Sequence, residues 1–268
     1  MPDPLDLDAY LERIRWQGAT RPDYATLAGL LAAHIAHIPF ENFDVLLARG
    51  ISLELRDLQA KLVGQGRGGY CFEHATLFAA VLERLGFRPA RHAARVIGFR
   101  PLDRTPRTHM FLSVTVEGVH YVVDPGFGPY ASPLPLPLGG AGVPPGAPTH
   151  HIAREGSSWI LFATRNQGTT PAWISTLEVH LPIDFEVANY YTATHPASLF
   201  MNSILASAAI PDGRVNVMNR DVTHIIRGTA TRTELADRKA LRALLRRYFG
   251  FDLPEVETMR VPAVPEWS

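Results

Sequence analysis

A lone thiol, an imidazole and a carboxylate are the residues whose types and spacing could carry out nucleophilic chemistry in this sequence. Cys71 is the single cysteine of the 268 residues. It can form no internal disulfide and no multi-thiolate zinc site, which leaves a packed apolar thiol or a reactive one. Before it runs Gly64-Gln65-Gly66-Arg67-Gly68-Gly69-Tyr70, whose glycines cannot hold a helix. After it, Phe72, Ala75, Ala79 and Leu82 recur on one side of a helix that Gly86 can cap. A thiol at that junction faces the unpaired N–H groups and the positive dipole end of the helix, with Arg67 close by. All three favour the thiolate, which is the nucleophile.

Such a nucleophile needs a base and a group that orients the base. The two apolar runs 108–116 and 119–124 flank Glu117-Gly118, a short turn signal, and read as a β-hairpin. Pairing Val116 with Val119 puts Met110, Leu112, Val114 and Val116 on one face with Val119, Tyr121 and Val123, whereas a slip of one residue scatters that apolar face. The register set by burial puts His109, Phe111, Ser113 and Thr115 on the other face with Val122 and Asp124. His109 and Asp124 then become diagonal neighbours, roughly 7–8 Å apart at the backbone and within reach of two side chains. Each alone reads as ordinary, a surface imidazole and a turn carboxylate before Pro125-Gly126. Together, downstream of Cys71, they form a candidate base and orienter.

The elements that must position these groups follow from periodicity. Leu7, Tyr10, Leu11 and Ile14 predict one amphipathic helix, and Leu27, Leu30, Leu31, Ile35 and Ile38 a second after a Pro22-Asp23 start signal. Leu58, Leu62 and Val63 suggest a third. Beyond Gly86 the period changes to two, predicting strands at 94–99, 109–116 and 119–124, with further strand-like runs at 159–163 and 177–187. Residues 131–149 are rich in Pro and Gly and read as a long surface loop. The last part reads as a Pro-bounded helix at 198–209, a strand pair at 215–226 and a basic amphipathic helix bearing Leu241, Leu244, Leu245 and Tyr248.

The composition is that of an ordinary globular protein: 46% hydrophobic, 19% charged and a formal net charge of zero, so nothing calls for nucleic acid or an anionic membrane. The start Met1-Pro2-Asp3-Pro4-Leu5-Asp6 lacks the basic flank and apolar run of a signal peptide, and no run reaches membrane-spanning length, so the expected compartment is the cytoplasm.

The segment Arg67-Gly68-Gly69-Tyr70-Cys71-Phe72-Glu73 resembles the active-cysteine motif of the arylamine N-acetyltransferases. The resemblance covers nearly the whole chain. His37-Ile38-Pro39-Phe40-Glu41-Asn42-Phe43 is similar to that family's N-terminal signature, Thr108-His109 to its histidine site, Val123-Asp124-Pro125-Gly126-Phe127-Gly128 to its aspartate loop, and Tyr191-Thr192-Ala193-Thr194-His195-Pro196 to its later Thr-His-Pro segment. It implies an α+β fold: an N-terminal helical bundle over 1–86 carrying the cysteine, a central β-barrel over 87–190 carrying His and Asp, and a C-terminal α/β lid over 191–268. The implied active-site arrangement is cysteine-protease-like, as in papain and transglutaminases. It further implies ping-pong transfer of acetyl from acetyl-CoA through Cys71 to a small arylamine, arylhydrazine or hydrazide, as in xenobiotic metabolism, with His109 relaying the proton and Asp124 orienting it. Phe40 and Phe127 match positions lining the amine pocket, and Gly126, Phe127 and Gly128 belong to the loop that approaches CoA. Pro125 departs from the family's usual Val or Ala, removing one N–H beside the cofactor.

Other signals are weaker. Residues 64–69 satisfy G-x-G-x-x-G but follow helix-like residues instead of a strand, against a dinucleotide site. The basic residues of 100–107 could receive CoA phosphates, though a solvated loop is the commoner meaning of such charges. His34, His37, His150 and His151 have no H-E-x-x-H or cysteine pair beside them, so no metal is implied. Alternatives are an amide synthase of the same family closing macrolactams, a Cys-His-Asp hydrolase or transglutaminase-like enzyme, and a binding module that keeps only the fold. Oligomeric state is open.

Overall fold

Three packed cores, each built on a different part of the chain, meet around the residues singled out above. The computed structural model describes residues 4–139, 150–165 and 168–267. Met1-Pro2-Asp3 and positions 140–149 of the Pro/Gly-rich stretch lie outside the described residues. The first core is helical. Helix α1 (Leu7–Arg13) is capped by Asp6 and α2 (Tyr24–His37) by Asp23, each carboxylate accepting a backbone N–H three residues on. Short α3 (Phe43–Leu46) and α4 (Leu55–Leu58) follow, the latter running into a wider turn at Gln59–Gly64. Helix α5 (Cys71–Arg84) then runs to Leu85, and Gly86 leaves it at φ +86°, a left-handed conformation that glycine adopts without strain.

The second core is a seven-stranded antiparallel sheet in the order β4-β3-β2-β1-β7-β6-β5, curled until it is nearly closed. Its strands are β1 (Pro89–Val96), β2 (His109–Val116), β3 (Val119–Val123), β4 (Leu136–Pro137), β5 (His150–Glu155), β6 (Ser158–Arg165) and β7 (Gly168–Ser175). Val116 pairs with Val119 and Leu112 with Val123, the register that burial of the apolar face selects. That face packs on the helices: Met110, Leu112, Val114 and Val123 share a core with Phe72, Phe78 and Leu82. The opposite face is exposed at Thr115 and buried towards His109. Phe111 and Val122 turn into the barrel with Ala94, Phe127, Leu161 and Trp173, and His109 and Ser113 are buried with them.

The third core lies under a four-stranded antiparallel sheet, β11-β10-β9-β8, formed by β8 (Leu205–Ile210), β9 (Gly213–Met218), β10 (Asp221–Ile226) and β11 (Thr229–Glu234). Helices α6 (Pro182–Thr194) and α7 (Leu199–Asn202) precede it and α8 (Arg238–Leu244) follows. Three expectations need correction. Residues 182–187 are helix instead of strand, because Pro182 fits the first turn and Asp184 accepts the Leu181 N–H. The helix expected over 198–209 ends at Asn202, and the chain becomes β8, whose Ser207 pairs with Phe40. The first strand runs 89–96 instead of 94–99, since residues 98–100 bend away. Helix α6 spans 190/191, where the resemblance implies that the barrel passes into the lid.

The stretch 39–42 ties the three cores together. Phe40 exchanges backbone hydrogen bonds with Ser207 of β8, Glu41 N–H donates to Gly69 O, and the Asn42 side chain donates to Phe200 O and Ser203 O and accepts from Leu205 N–H. Beneath it lies an ion network: Arg67 meets Glu41 at 2.7 Å and Asp44 at 3.2 Å, and Lys61 meets Asp44 and Glu73 at 2.7 Å each. Glu41, Asp44, Arg67 and Glu73 are all buried. Removing one partner of such a network strands the others as uncompensated charges. Replacing Arg67 by Leu is therefore expected to cost about 3–5 kcal/mol in urea denaturation, whereas Arg227→Ala at the exposed Arg227–Asp212 pair should leave the midpoint where it is.

Candidate active site

Cys71 is the first residue of α5, and its position is set by the turn before it. Glu73 Oε2 accepts the Tyr70 N–H at 3.0 Å, satisfying a free donor at the helix start, while Lys61 holds the other oxygen of the same carboxylate. Burial pushes the Glu73 carboxyl up to about 6 against the pull of Lys61. The glycines are required by close approach. A Cβ on Gly68 would lie 2.1 Å from Pro39 O, and one on Gly69 2.6 Å from Glu73 Oε2. The loop thus passes hard against the 39–42 stretch and delivers the thiol to the barrel, where the sulfur lies 3.6 Å from Thr108 O.

His109 opens β2 directly after Thr108, and Asp124 follows β3 one step beyond its last paired residue. The diagonal closes as a hydrogen bond, His109 Nε2 to Asp124 Oδ2 at 2.8 Å, with both side chains buried. That leaves Nδ1 as the ring nitrogen not taken by Asp124, and Cys71 lines the same cleft as the ring. Burial by itself would lower the imidazole, but the charge of Asp124, its hydrogen bond and the Cys71 side chain outweigh it and hold His109 up at about 10. The ring is accordingly a cation at neutral pH. Phe127 lies against it, with centroids 4.6 Å apart.

Trp173 is the partner that the sequence does not announce. From β7 its indole N–H donates to the same Asp124 Oδ2 at 3.1 Å, and its ring stacks on Phe111. Asp124 Oδ1 is buried with no hydrogen-bond partner among the described residues, so one carboxylate oxygen takes both donors. The run Gly168-Thr169-Thr170-Pro171 hides this strand, since a proline argues against a central strand, yet Pro171 lies at the register shift between Leu161 and Phe162. A tryptophan on the barrel-facing side of a strand is the signal that could have found it.

A cleft of about 190 Å³ opens above the sulfur. Cys71, His109, Gly126 and Phe127 line it, and so does Phe40, facing Phe99, Tyr130, Tyr191, Leu199 and Phe200. The lining is largely apolar and aromatic, and among the described residues Arg100 adds a second positive group to it beside His109. Gly128 is not on the cleft: its φ is +55°, and a Cβ there would lie 3.1 Å from the Phe40 ring. Pro125 turns away too, into a smaller cavity behind the loop shared with His74 and Arg214. Among the described residues no group of three or more His, Cys, Asp or Glu could hold a metal ion, and no helix is long and apolar enough to cross a membrane. Chemically, a cysteine sulfur whose proton has passed to an imidazole held in place by a carboxylate is suited, as the thiolate, to nucleophilic attack on a carbonyl carbon.

Comparison with known proteins gives one family. A family model described as N-acetyltransferase matches residues 23–258. The arylamine N-acetyltransferase of Mycolicibacterium smegmatis is 38% identical, over 97% of this chain and 96% of its own length, and that of Escherichia coli 33% identical over 94% and 90%. Among solved structures, the arylamine N-acetyltransferase from M. tuberculosis aligns with a TM-score of 0.87 at 36% identity, over 94% of this chain and 96% of that one. The Mycobacterium marinum arylamine N-acetyltransferase in complex with CoA also aligns at 0.87, with 33% identity over 94% of each chain.

Gly126 offers a test of how tightly the two units are fitted. A Cβ there would sit 2.7 Å from Cys71 Cα and 3.0 Å from its carbonyl oxygen. Gly126→Ala is expected to push the aspartate loop off the start of α5, slowing alkylation of Cys71 by iodoacetamide by about tenfold, as followed by intact mass.

Proposed function

The chain belongs to the arylamine N-acetyltransferase family, a family of acyltransferases, and from that premise we propose that it carries acetyl from acetyl-CoA to arylamines, arylhydrazines or hydrazides on the sulfur of Cys71. The observation that carries the reading is the convergence on one apolar cleft of Cys71 and His109, the latter hydrogen-bonded to Asp124 at 2.8 Å.

The Cys71 sulfur attacks the thioester carbonyl, a new S–C bond forms, the bond to the CoA sulfur breaks, and CoA departs with the proton that His109 had taken from Cys71. The exchange of one thioester for another is nearly balanced in free energy, so it runs in both directions. In the second half the amine nitrogen attacks the acetyl-cysteine carbonyl, the S–C bond breaks, and the amine proton passes through His109 back to the sulfur. Asp124 holds the imidazole orientation throughout and favours its cationic form. Trp173 fixes the carboxylate in turn. Phe40 and Phe127, which line the cleft beside the sulfur, are suited to stack an aryl ring over the thioester, while Gly126, with no side chain, leaves room for the pantetheine arm of the donor. Gly128 contributes by letting the loop lie against Phe40. The roles group by core: the helical unit presents the nucleophile, the barrel its base and orienter, and the C-terminal unit, through Tyr191, Leu199, Phe200 and Leu205, the outer wall of the cleft.

The aromatic lining also bears on the hydrolase alternative. An acetyl-cysteine walled by Phe40, Phe99, Phe127, Tyr130 and Phe200 offers a flat aromatic acceptor dispersion and stacking that water cannot match.

Incubation with acetyl-CoA followed by intact mass is expected to show one acetyl adduct on Cys71, discharged when an arylamine is added and absent in Cys71→Ala. Formation of acetate at the same rate with and without amine would assign the site to hydrolysis instead.

A further inference from the structure

Behind the reactive face of α5 lies a chain of three buried side chains that none of the steps above uses. Tyr10 from α1 places its hydroxyl 2.8 Å from His34 Nδ1, His34 from α2 places Nε2 2.8 Å from His74 Nδ1, and His74 Nε2 lies 3.1 Å from Gly69 O and 3.3 Å from Pro39 O. Tyr10, His34 and His74 are each at most 1% exposed.

The far end dictates where every proton sits. His74 Nε2 faces two carbonyl oxygens, which only accept, so it must carry hydrogen. Burial pushes His74 down to about 4 and, with the neighbouring ring, His34 well below the ordinary histidine range, so both rings are neutral at physiological pH. A neutral ring protonated at Nε2 has a bare Nδ1, hence His34 Nε2 must donate to His74. His34 Nδ1 is then bare in turn, and the Tyr10 hydroxyl must donate to it. The polarity runs one way, from Tyr10 to the two carbonyls.

Those carbonyls belong to the two strips of backbone that build the site. Gly69 O stands two residues before Cys71, and Pro39 O directly before Phe40. The strips already touch, since Gly69 N–H donates to Pro39 O at 3.3 Å and Glu41 N–H donates to Gly69 O at 2.8 Å. His74 adds the donor they share. It also lies one turn after Cys71 on the same helix, stacks on Phe40 with rings 12° from parallel, and sits under Gly126, where a Cβ would meet its own at 3.0 Å. Cleft wall, nucleophile loop and aspartate loop therefore all meet this one residue, the first two at its ring and the third at its Cβ.

We infer that His74 is a positioning residue for Cys71 and Phe40, clamping the carbonyls of Gly69 and Pro39 with a proton that Tyr10 and His34 keep on its Nε2. The functional half rests on the reading of Cys71 as the acyl carrier, while the proton assignment does not.

The test has two arms. In the first, two-bond ¹⁵N–¹H spectra of histidine-labelled wild-type protein between pH 6 and 8 should show His34 and His74 as neutral rings protonated at Nε2. A bare Nε2 on His74 would overturn the inference. In the second, His74→Gln, which keeps an N–H aimed at the carbonyls, should retain kcat within about threefold, whereas His74→Leu should lose about thirtyfold in kcat with KM for the amine changed less than threefold. Equal kcat in the two variants would overturn it, and so would a loss in His74→Leu that appears in KM alone. Should His74→Leu fail to fold, the spectra decide. Should wild-type protein take up no acetyl from acetyl-CoA, the acyl-carrier reading fails, and iodoacetamide alkylation of Cys71 in the same two variants measures the clamp in its place.

Discussion

A carboxylate removed from water has to find compensation, and Asp124 finds it on one oxygen. His109 and Trp173 both donate to Oδ2, while Oδ1 is buried with no hydrogen-bond partner among the described residues. A buried carboxylate left without a counter-charge costs several kcal/mol, so the charge on Asp124 and the proton on His109 sustain each other. Three strands are committed by this: β2 brings His109, β3 leads directly into Asp124 and β7 supplies Trp173. Phe111 stacks on Trp173 and on the His109 ring and fills the space between them, so the pair with Asp124 is buried against aromatic faces on the barrel side.

The sulfur comes from another core, and its registration with the imidazole depends on a second set of buried charges. Arg67, Lys61, Glu41, Asp44 and Glu73 join the glycine loop, α3 and the first turn of α5. Phe251 of the C-terminal unit closes over Arg67, with the guanidinium 5.0 Å from its ring centre. Where the units meet, side chains give way to bare backbone, at Gly68 against Pro39 and at Gly126 against Cys71. Two charged clusters, one in the barrel and one under the loop, thus hold two halves of a site across an interface where glycine is the residue that fits.

Much of this was legible in sequence because it obeys a period. The hairpin register follows from the apolar face of Met110, Leu112, Val114 and Val123, and it carried the His109–Asp124 diagonal with it; the helix start at Cys71 follows from the glycines before it and the 3.6-residue pattern after it. Elements governed by distant partners were not legible. Ser198–Ala209 has helix-like spacing, yet β8 exists because Phe40 and β9 supply its hydrogen bonds. Ile183, Val187 and Tyr190 of α6 are exposed apolar residues, which blurs the amphipathic pattern of a surface helix. Trp173, His34 and His74 act through polar atoms that meet residues tens of positions away, and no local spacing records such a meeting.

The central claim is that His109 is held as a cation beside Cys71 by Asp124, and the ring itself reports it. In ¹⁵N spectra of wild-type protein followed from pH 6 to 9, both His109 nitrogens should keep the shifts of a protonated imidazolium, because Asp124 holds the ring well above the ordinary histidine range, and in Asp124→Asn the ring should be neutral at pH 7.5. A wild-type His109 that titrates near 6.5, or is neutral throughout, would contradict the account.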